Sequence, residues 1–367
     1  MPFSNDKIVA EGLTFDDLLL IPPMGVAAYA TSAALRGEGI RCETLPLPDR
    51  KALELGRKNT SGKECVPMII TAGSILQRLE KDRHTDERFA YLMPTADGPC
   101  RFGSYNLLHK LIFERNGWAD RVKIVSPSDE NYFEGLPADF QVRVWTGMVA
   151  GDVLLAALHD VRPVETVPGA AQKIFDQAFS KLMDVLENPP GHTLGQAILD
   201  IPKTMGGVRP VLEDAAKEFA QIKDFDKVLP TVALTGEIYV RLDPFANDFM
   251  IDRLEQCGLK VRLTPFIEWI EYASWTYRKR ILDGRPSPTD SPPSVFLTGA
   301  IQEDIMDRLW DTMAQHLGWG HRTTVLSSLD AGGEYVSKDQ LGEAILTVGA
   351  PLAEYKAGEI DGVVSVI

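Results

Sequence analysis

The chain has 367 residues, 44% of them apolar and 25% charged, and its 38 Lys and Arg against 52 Asp and Glu leave a net charge of −14. Such a length suggests two or three domains, and the composition excludes disordered, collagenous and disulfide-framework proteins. The acidic surplus disfavours phosphate backbones and anionic membranes as partners, and no window reaches the ~18 apolar residues that span a bilayer.

Met1–Asp6 is polar and reads as no signal peptide, which places the chain in the cytoplasm. Leu18–Ile21 is a short apolar run stopped by Pro22 and Pro23, the Ala-rich stretch Gly25–Leu35 reads as a helix, and Ile40, Cys42 and Leu45 belong to a second strand. This βαβ opening predicts a parallel sheet. Phe89–Met93 and Val122–Val125 read as further buried strands flanking a helix over Tyr105–Phe113.

Between Val142 and Lys223 the apolar residues recur at helical spacing, with breaks at Pro189-Pro190 and Gly206-Gly207. Pro230–Leu234 opens a second α/β unit. Asp243 is expected to cap a helix with Pro244 in its first turn and Met250, Leu254 and Cys257 on its core stripe, followed by a strand at Leu259–Leu263. Arg285–Pro293 reads as a Pro/Ser-rich loop, and Val295–Leu297 and Val363–Val366 as late strands. The predicted fold class is α/β, with two Rossmann-like parallel-sheet lobes at 1–141 and 229–367 and a mostly helical middle at 142–228.

No G-x-G-x-x-G follows a strand and no P-loop occurs, which leaves a nicotinamide-dependent dehydrogenase without its fingerprint. The six histidines show no close metal spacing. Two cysteine loops stand out. In Thr60–Pro67 (TSGKECVP), Cys65 would sit at the N-terminus of an apolar helix, where free N–H groups favour a thiolate. In Met93–Gly103 (MPTADGPCRFG), Cys100 follows a strand and precedes a helix, with Arg101 beside it to offset negative charge. Cys42 and Cys257 read as packing residues. In Gly236–Asn247 (GEIYVRLDPFAN), Arg241 and Asn247 could hold an anionic group, while Glu237 and Arg241 could instead pair on the surface.

The segments Thr60–Pro67, Tyr91–Asn106 and Gly236–Asn247 resemble the 2-hydroxyacyl-CoA dehydratase superfamily, in the branch of proteins related to acyl-CoA dehydratase activases; Arg162–Gly169 and Gly342–Gly349 add weaker matches. The resemblance runs in order over nearly the whole chain. It implies two α/β lobes around a 4Fe–4S cluster, with Cys65 and Cys100 as its first two ligands and Lys63, Glu64 and Arg101 surrounding it.

It further implies an ATP-hydrolysing activase domain or subunit as electron donor, an acyl-CoA or other small molecule as electron acceptor, a homodimer or related subunit as partner, and an anaerobic cytoplasm. The family's third cysteine follows the last strand, where this chain ends at Ile367, so a fragment or a lost ligand is expected. The rival expectation is a non-catalytic two-lobed binding or accessory module without a complete cluster site.

Overall fold

In the computed structural model, which describes residues 16–95, 100–127, 136–189, 193–285, 292–340 and 342–367, the first apolar runs build a parallel sheet. Its strands are β1 (Leu18–Ile21), β2 (Cys42–Thr44), β3 (Phe89–Leu92) and β4 (Val122–Val125), in the order β2-β1-β3-β4. The helices of this lobe are α1 (Gly25–Gly37), α2 (Arg50–Asn59), α3 (Val66–Glu80) and α4 (Tyr105–Arg115).

Alternation along the strands sends Leu19, Ile21, Ala90 and Leu92 into one core with α1, and Leu20, Phe89, Tyr91 and Met93 into a second core with α3 and α4. Both faces are thereby covered, as a parallel sheet requires. The strand order reverses between β1 and β3. Open α/β sheets take ligands at such a switch point, outside the carboxyl ends of the strands.

The first core continues into a helical layer: α5 (Ala138–Val161), α6 (Ala170–Glu187), α7 (Leu194–Asp200) and α8 (Val208–Ile222). The stretch Asp139–Val164 is long and apolar enough to cross a membrane by length and composition, but 83% of its apolar window is buried in the fold. It is the central helix of this core.

The remaining elements are β5 (Thr231–Gly236), α9 (Ile238–Leu242), α10 (Met250–Gln256), β6 (Lys260–Leu263), α11 (Ile267–Leu282), α12 (Pro292–Leu317), α13 (Val325–Gly332), α14 (Ala344–Lys356) and β7 (Gly362–Val366). The three strands form a second parallel sheet in the order β6-β5-β7. The chain is therefore α/β, with two parallel sheets and a large helical complement.

Buried charges tie the parts together. The Asp160 carboxylate accepts from Lys223 Nζ and Lys260 Nζ at 2.7 Å each and from Trp319 Nε1 at 2.9 Å. Asp152 Oδ2 accepts from the Ile267 N–H at 3.0 Å, joining α5 to α11. The start of α1 abuts α9, since a Cβ on Gly25 would lie 3.5 Å from Leu242, and α3 also packs on α9. The carboxyl ends of the two sheets thus meet.

Three local expectations are corrected. Val295–Leu297 is no strand; it lies in α12, whose buried stripe Ile305, Leu309, Met313 and Leu317 repeats every four residues. Asp243 does not start a long helix. It follows α9 and accepts from the Ala246 N–H at 2.7 Å to close a turn, and the next helix begins only at Met250. That helix buries no residue, and Cys257 beyond it is exposed rather than packed. Met1–Asp6, Ala96–Pro99 of the second cysteine loop, Pro190 and residues 286–291 of the expected Pro/Ser-rich loop lie outside the described residues.

Candidate functional site

The turn before Cys65 is built by its own polar groups. Gly62 adopts φ +80°, and the Glu64 carboxylate accepts from the Ser61 N–H at 3.0 Å, the Ser61 hydroxyl at 2.9 Å and the Lys63 N–H at 3.0 Å. These donors hold Glu64 well below the usual carboxylate range, at about 2. Cys65 then takes the N-cap position of α3 with Pro67 in the first turn, as the sequence leads one to expect. Its sulfur makes no capping bond. The half-buried thiol packs against the α3–α4 core, and the titration of the Tyr105 hydroxyl is raised by burial first and by that sulfur second.

Cys100 caps a 3-10 turn, Arg101–Ser104, that leads into α4. Thr95 braces this loop, donating from its hydroxyl to Gly103 O at 3.1 Å and from its N–H to Pro127 O at 2.9 Å. Arg101 reaches across and donates to Lys63 O at 3.2 Å. One guanidinium thus clasps the two cysteine loops to each other. The sulfurs sense one another: burial pushes the Cys100 thiol up, the Phe102 N–H opposes it, and the charges of Glu343, Cys65 and Glu237 push it further up. Arg101 thus holds loop backbone.

The opposing wall comes from the second sheet. Gly236 ends β5 at φ +123°, and a Cβ there would fall on the Val366 carbonyl of β7, so only glycine lets the two strands run this close. The Glu237 N–H donates to that carbonyl at 2.9 Å, and its carboxylate caps α9 by accepting from the Val240 N–H at 2.7 Å. Glu237 is raised by burial. Glu343, just before α14, is pushed up to about 7 by burial and by the charge of Glu237. The cleft therefore sets Cys65, Cys100 and Tyr105 of one lobe against Glu237 and Glu343 of the other.

Arg241 and Asn247 are not the exposed anion grip that the sequence suggests. Arg241 is 2% exposed and donates to Gly236 O at 3.2 Å and Pro265 O at 3.1 Å, with Glu268 at 3.5 Å. Asn247 donates to Val240 O at 3.0 Å and Arg241 O at 3.2 Å and accepts from the Met250 N–H at 3.0 Å. Both side chains serve the protein's own backbone. Nor do Glu237 and Arg241 form a surface pair. The residues that sequence reasoning missed are Tyr105, Glu237 and Glu343, of which Glu343 lies in a segment noted only for its likeness to a family.

The donor set suits iron or another soft metal in kind, since cysteine sulfur is the ligand of iron–sulfur clusters. In number it falls short: among the described residues no group of three His, Cys, Asp or Glu is placed to hold a metal ion. No protein-family model, curated protein or solved structure matches the chain.

Behind the cleft lie two further buried acids. Burial drives Asp152 and Glu268 up to about 7, the Ile267 N–H opposing it at Asp152 and the Arg241 charge at Glu268. The unfolded chain releases these protons in the ordinary carboxyl range, while the folded chain keeps them to about 7. Over that interval the folded state binds more protons, so these groups lower stability as pH rises from ~4 to ~7 and contribute no further change above it. Glu268→Gln is expected to flatten that fall by on the order of 1–3 kcal/mol. Urea denaturation of both proteins at pH 5 and pH 7.5 measures the difference, and equal slopes would remove the assignment.

Proposed function

We propose that the protein is an iron–sulfur redox component resembling the subunits of 2-hydroxyacyl-CoA dehydratases and related reductases, working in an anaerobic cytoplasm. The observation that carries this reading is the Arg101–Lys63 bond, which draws two cysteine loops from separate parts of the chain into one cleft at the carboxyl ends of two parallel sheets. Cys65 and Cys100 would supply two ligands of a 4Fe–4S cluster. When bound, such a cluster supplies one-electron chemistry at low potential.

The remaining ligands come from outside the described set. The family's third cysteine follows its last strand, and the carboxyl end of β7 lies beside Glu237 through the Glu237 N–H to Val366 O bond. In this reading an ATP-hydrolysing activase partner delivers electrons singly, and an acyl-CoA or another small molecule in the cleft accepts them. Glu64 and Arg101 fix the loops, and the buried Arg241 holds the β5–α9 turn that carries Glu237.

Anaerobic reconstitution with iron and sulfide tests it. The wild-type chain is expected to turn brown and retain about four iron per site, and Cys65→Ser or Cys100→Ser to lose most of that iron while remaining folded. A colourless, iron-free and folded wild-type protein would leave the second reading, a two-lobed binding or accessory module, which the shortfall of donors favours.

A further inference from the structure

The outer side of α4 runs against the charge of the whole chain. The loop between α2 and α3 is pinned at both ends of this helix. Asn116 Nδ2 donates to Asn59 Oδ1 at 2.8 Å beyond the carboxyl end, and Arg101 donates to Lys63 O at 3.2 Å before the amino end. The loop therefore runs beside α4, and the two make one continuous surface. Residues 57–66 and 101–115 carry six cations, Arg57, Lys58, Lys63, Arg101, Lys110 and Arg115, against two acids, Glu64 and Glu114, on a chain whose net charge is −14. All six cations are exposed, and none forms an ion pair among the described residues. Of the two acids, Glu64 is turned inward on Ser61 and the Lys63 N–H.

Within this charged ring α4 shows apolar side chains to water. Leu107 and Leu111, one turn apart, are 62% and 46% exposed, while Tyr105, His109, Ile112 and Phe113 of the same helix are buried. The helix is thus apolar on two sides, and the core covers one of them. A single exposed leucine carries no message, but a pair one turn apart with cations around it has the apolar centre and charged rim of a docking face.

Length and charge say what fits. α4 has 11 residues and spans ~16 Å, with Lys63 and Arg101 at one end and Lys58 and Arg115 at the other. A helix laid along it can interlock apolar side chains, also one turn apart, with Leu107 and Leu111. Carboxylates at both ends of that stripe would then meet the cations. A phosphate chain would use the charges and leave the leucines in water. An anionic bilayer is a plane that would also meet the acidic surface around the patch, and the net charge opposes it.

We propose that the outer face of α4 docks an acidic amphipathic helix of a partner protein, with its apolar stripe on Leu107 and Leu111 and its carboxylates against the cations at the two ends of α4. Cys65 and Cys100 belong to the loops that Lys63 and Arg101 join, so the docked helix lies beside the cysteines. The docking goes beyond the redox reading and needs no cluster.

The test uses the metal-free full chain, so that it stands apart from whether iron binds. The probe is a labelled, stapled helix of about 15 residues, long enough to cover α4, with leucines on one stripe and glutamates flanking it. Its partners for comparison carry glutamine in place of glutamate or alanine in place of leucine, and fluorescence anisotropy reads binding at low and high salt. The wild-type chain is expected to bind the acidic leucine helix, more weakly at high salt, and to bind either comparison helix at least about tenfold less tightly. Leu107→Ser with Leu111→Ser, and separately Lys110→Glu, should each weaken binding about tenfold. Lys203→Glu, which changes the net charge equally at an exposed site between α7 and α8, should stay within about twofold.

The substituted side chains are exposed, and circular dichroism verifies folding. No saturable binding of the acidic helix would overturn the proposal, as would equal losses for Lys110→Glu and Lys203→Glu or unchanged binding without the two leucines. Binding of phosphatidylserine vesicles through the same leucines, with none of the helix, would overturn it in favour of a membrane.

Discussion

Arg241→Met is expected to cost about 3–5 kcal/mol of stability, because removing one partner of a buried charge network leaves the others uncompensated. Arg241 lies at the junction of four carboxyl groups: it lowers the titration of Asp152, Glu237, Glu268 and Glu343, each of which burial drives up. Methionine fills most of the same volume, so the loss would report charge and hydrogen bonding more than a cavity. The two carbonyls of Gly236 and Pro265 would also lose their donor.

The pH dependence separates these causes. At pH 5 Asp152, Glu268 and Glu343 hold their protons and need no counter-ion, so the penalty should shrink, whereas a cavity or a lost bond to a neutral carbonyl would cost the same at both pH values. Urea denaturation at pH 5 and pH 7.5 reads both terms. A penalty below about 1 kcal/mol, the size of an exposed ion pair, would mean that the acids find protons or water without Arg241.

The parts of this fold that sequence shows plainly are those governed by local pattern. Leu18–Ile21, Phe89–Leu92 and Val122–Val125 are largely buried, Phe89–Leu92 throughout, and read as strands because short apolar stretches bounded by turn residues leave little else. Val295–Leu297 shows the limit of the same rule. Three apolar residues suit strand or helix alike, and the deciding signal is the four-residue repeat that begins only at Ile305. Phe296 and Leu297 prove to be 39% and 61% exposed, so their apolarity reports no core at all.

The site divides along the same line. That Cys65 begins a helix and Cys100 follows a strand is written in Gly62, Pro67 and the Gly/Pro-rich turn around Cys100. That Arg101 meets Lys63 O depends on how the loops before α3 and after β3 are set against one another. No short window encodes that placement. Arg241 differs from its sequence expectation for a related reason: beside Asp243 and Glu237 it looks like a surface charge, and only the packing of α9 against β5 and α11 encloses it.

Gly73→Ala is expected to disturb the cleft from a distance. Gly73 of α3 faces α2 so closely that an added Cβ would fall on the Ala52 carbonyl, and Gly56 of α2 meets the Ile69 carbonyl of α3 in the same way. The two helices touch backbone to backbone, and the loop joining them carries Cys65. A methyl group at this contact has no rotamer by which to escape, so the helices must part. The overpacking cost of about 1–3 kcal/mol exceeds the roughly 1 kcal/mol that alanine gains over glycine within a helix.

Parting α2 from α3 shifts the N-terminus of α3, and with it Cys65 and the Lys63 carbonyl that Arg101 grips. The denaturation midpoint should therefore fall and, under the proposed cluster reading, so should the iron retained after reconstitution. Gly195→Ala is the control, since that helical glycine has open space around it and should be neutral or slightly stabilised. If Gly73→Ala kept both wild-type stability and wild-type iron, close approach of these helices would not be what positions Cys65, and the turn closed by Glu64 would have to hold it alone.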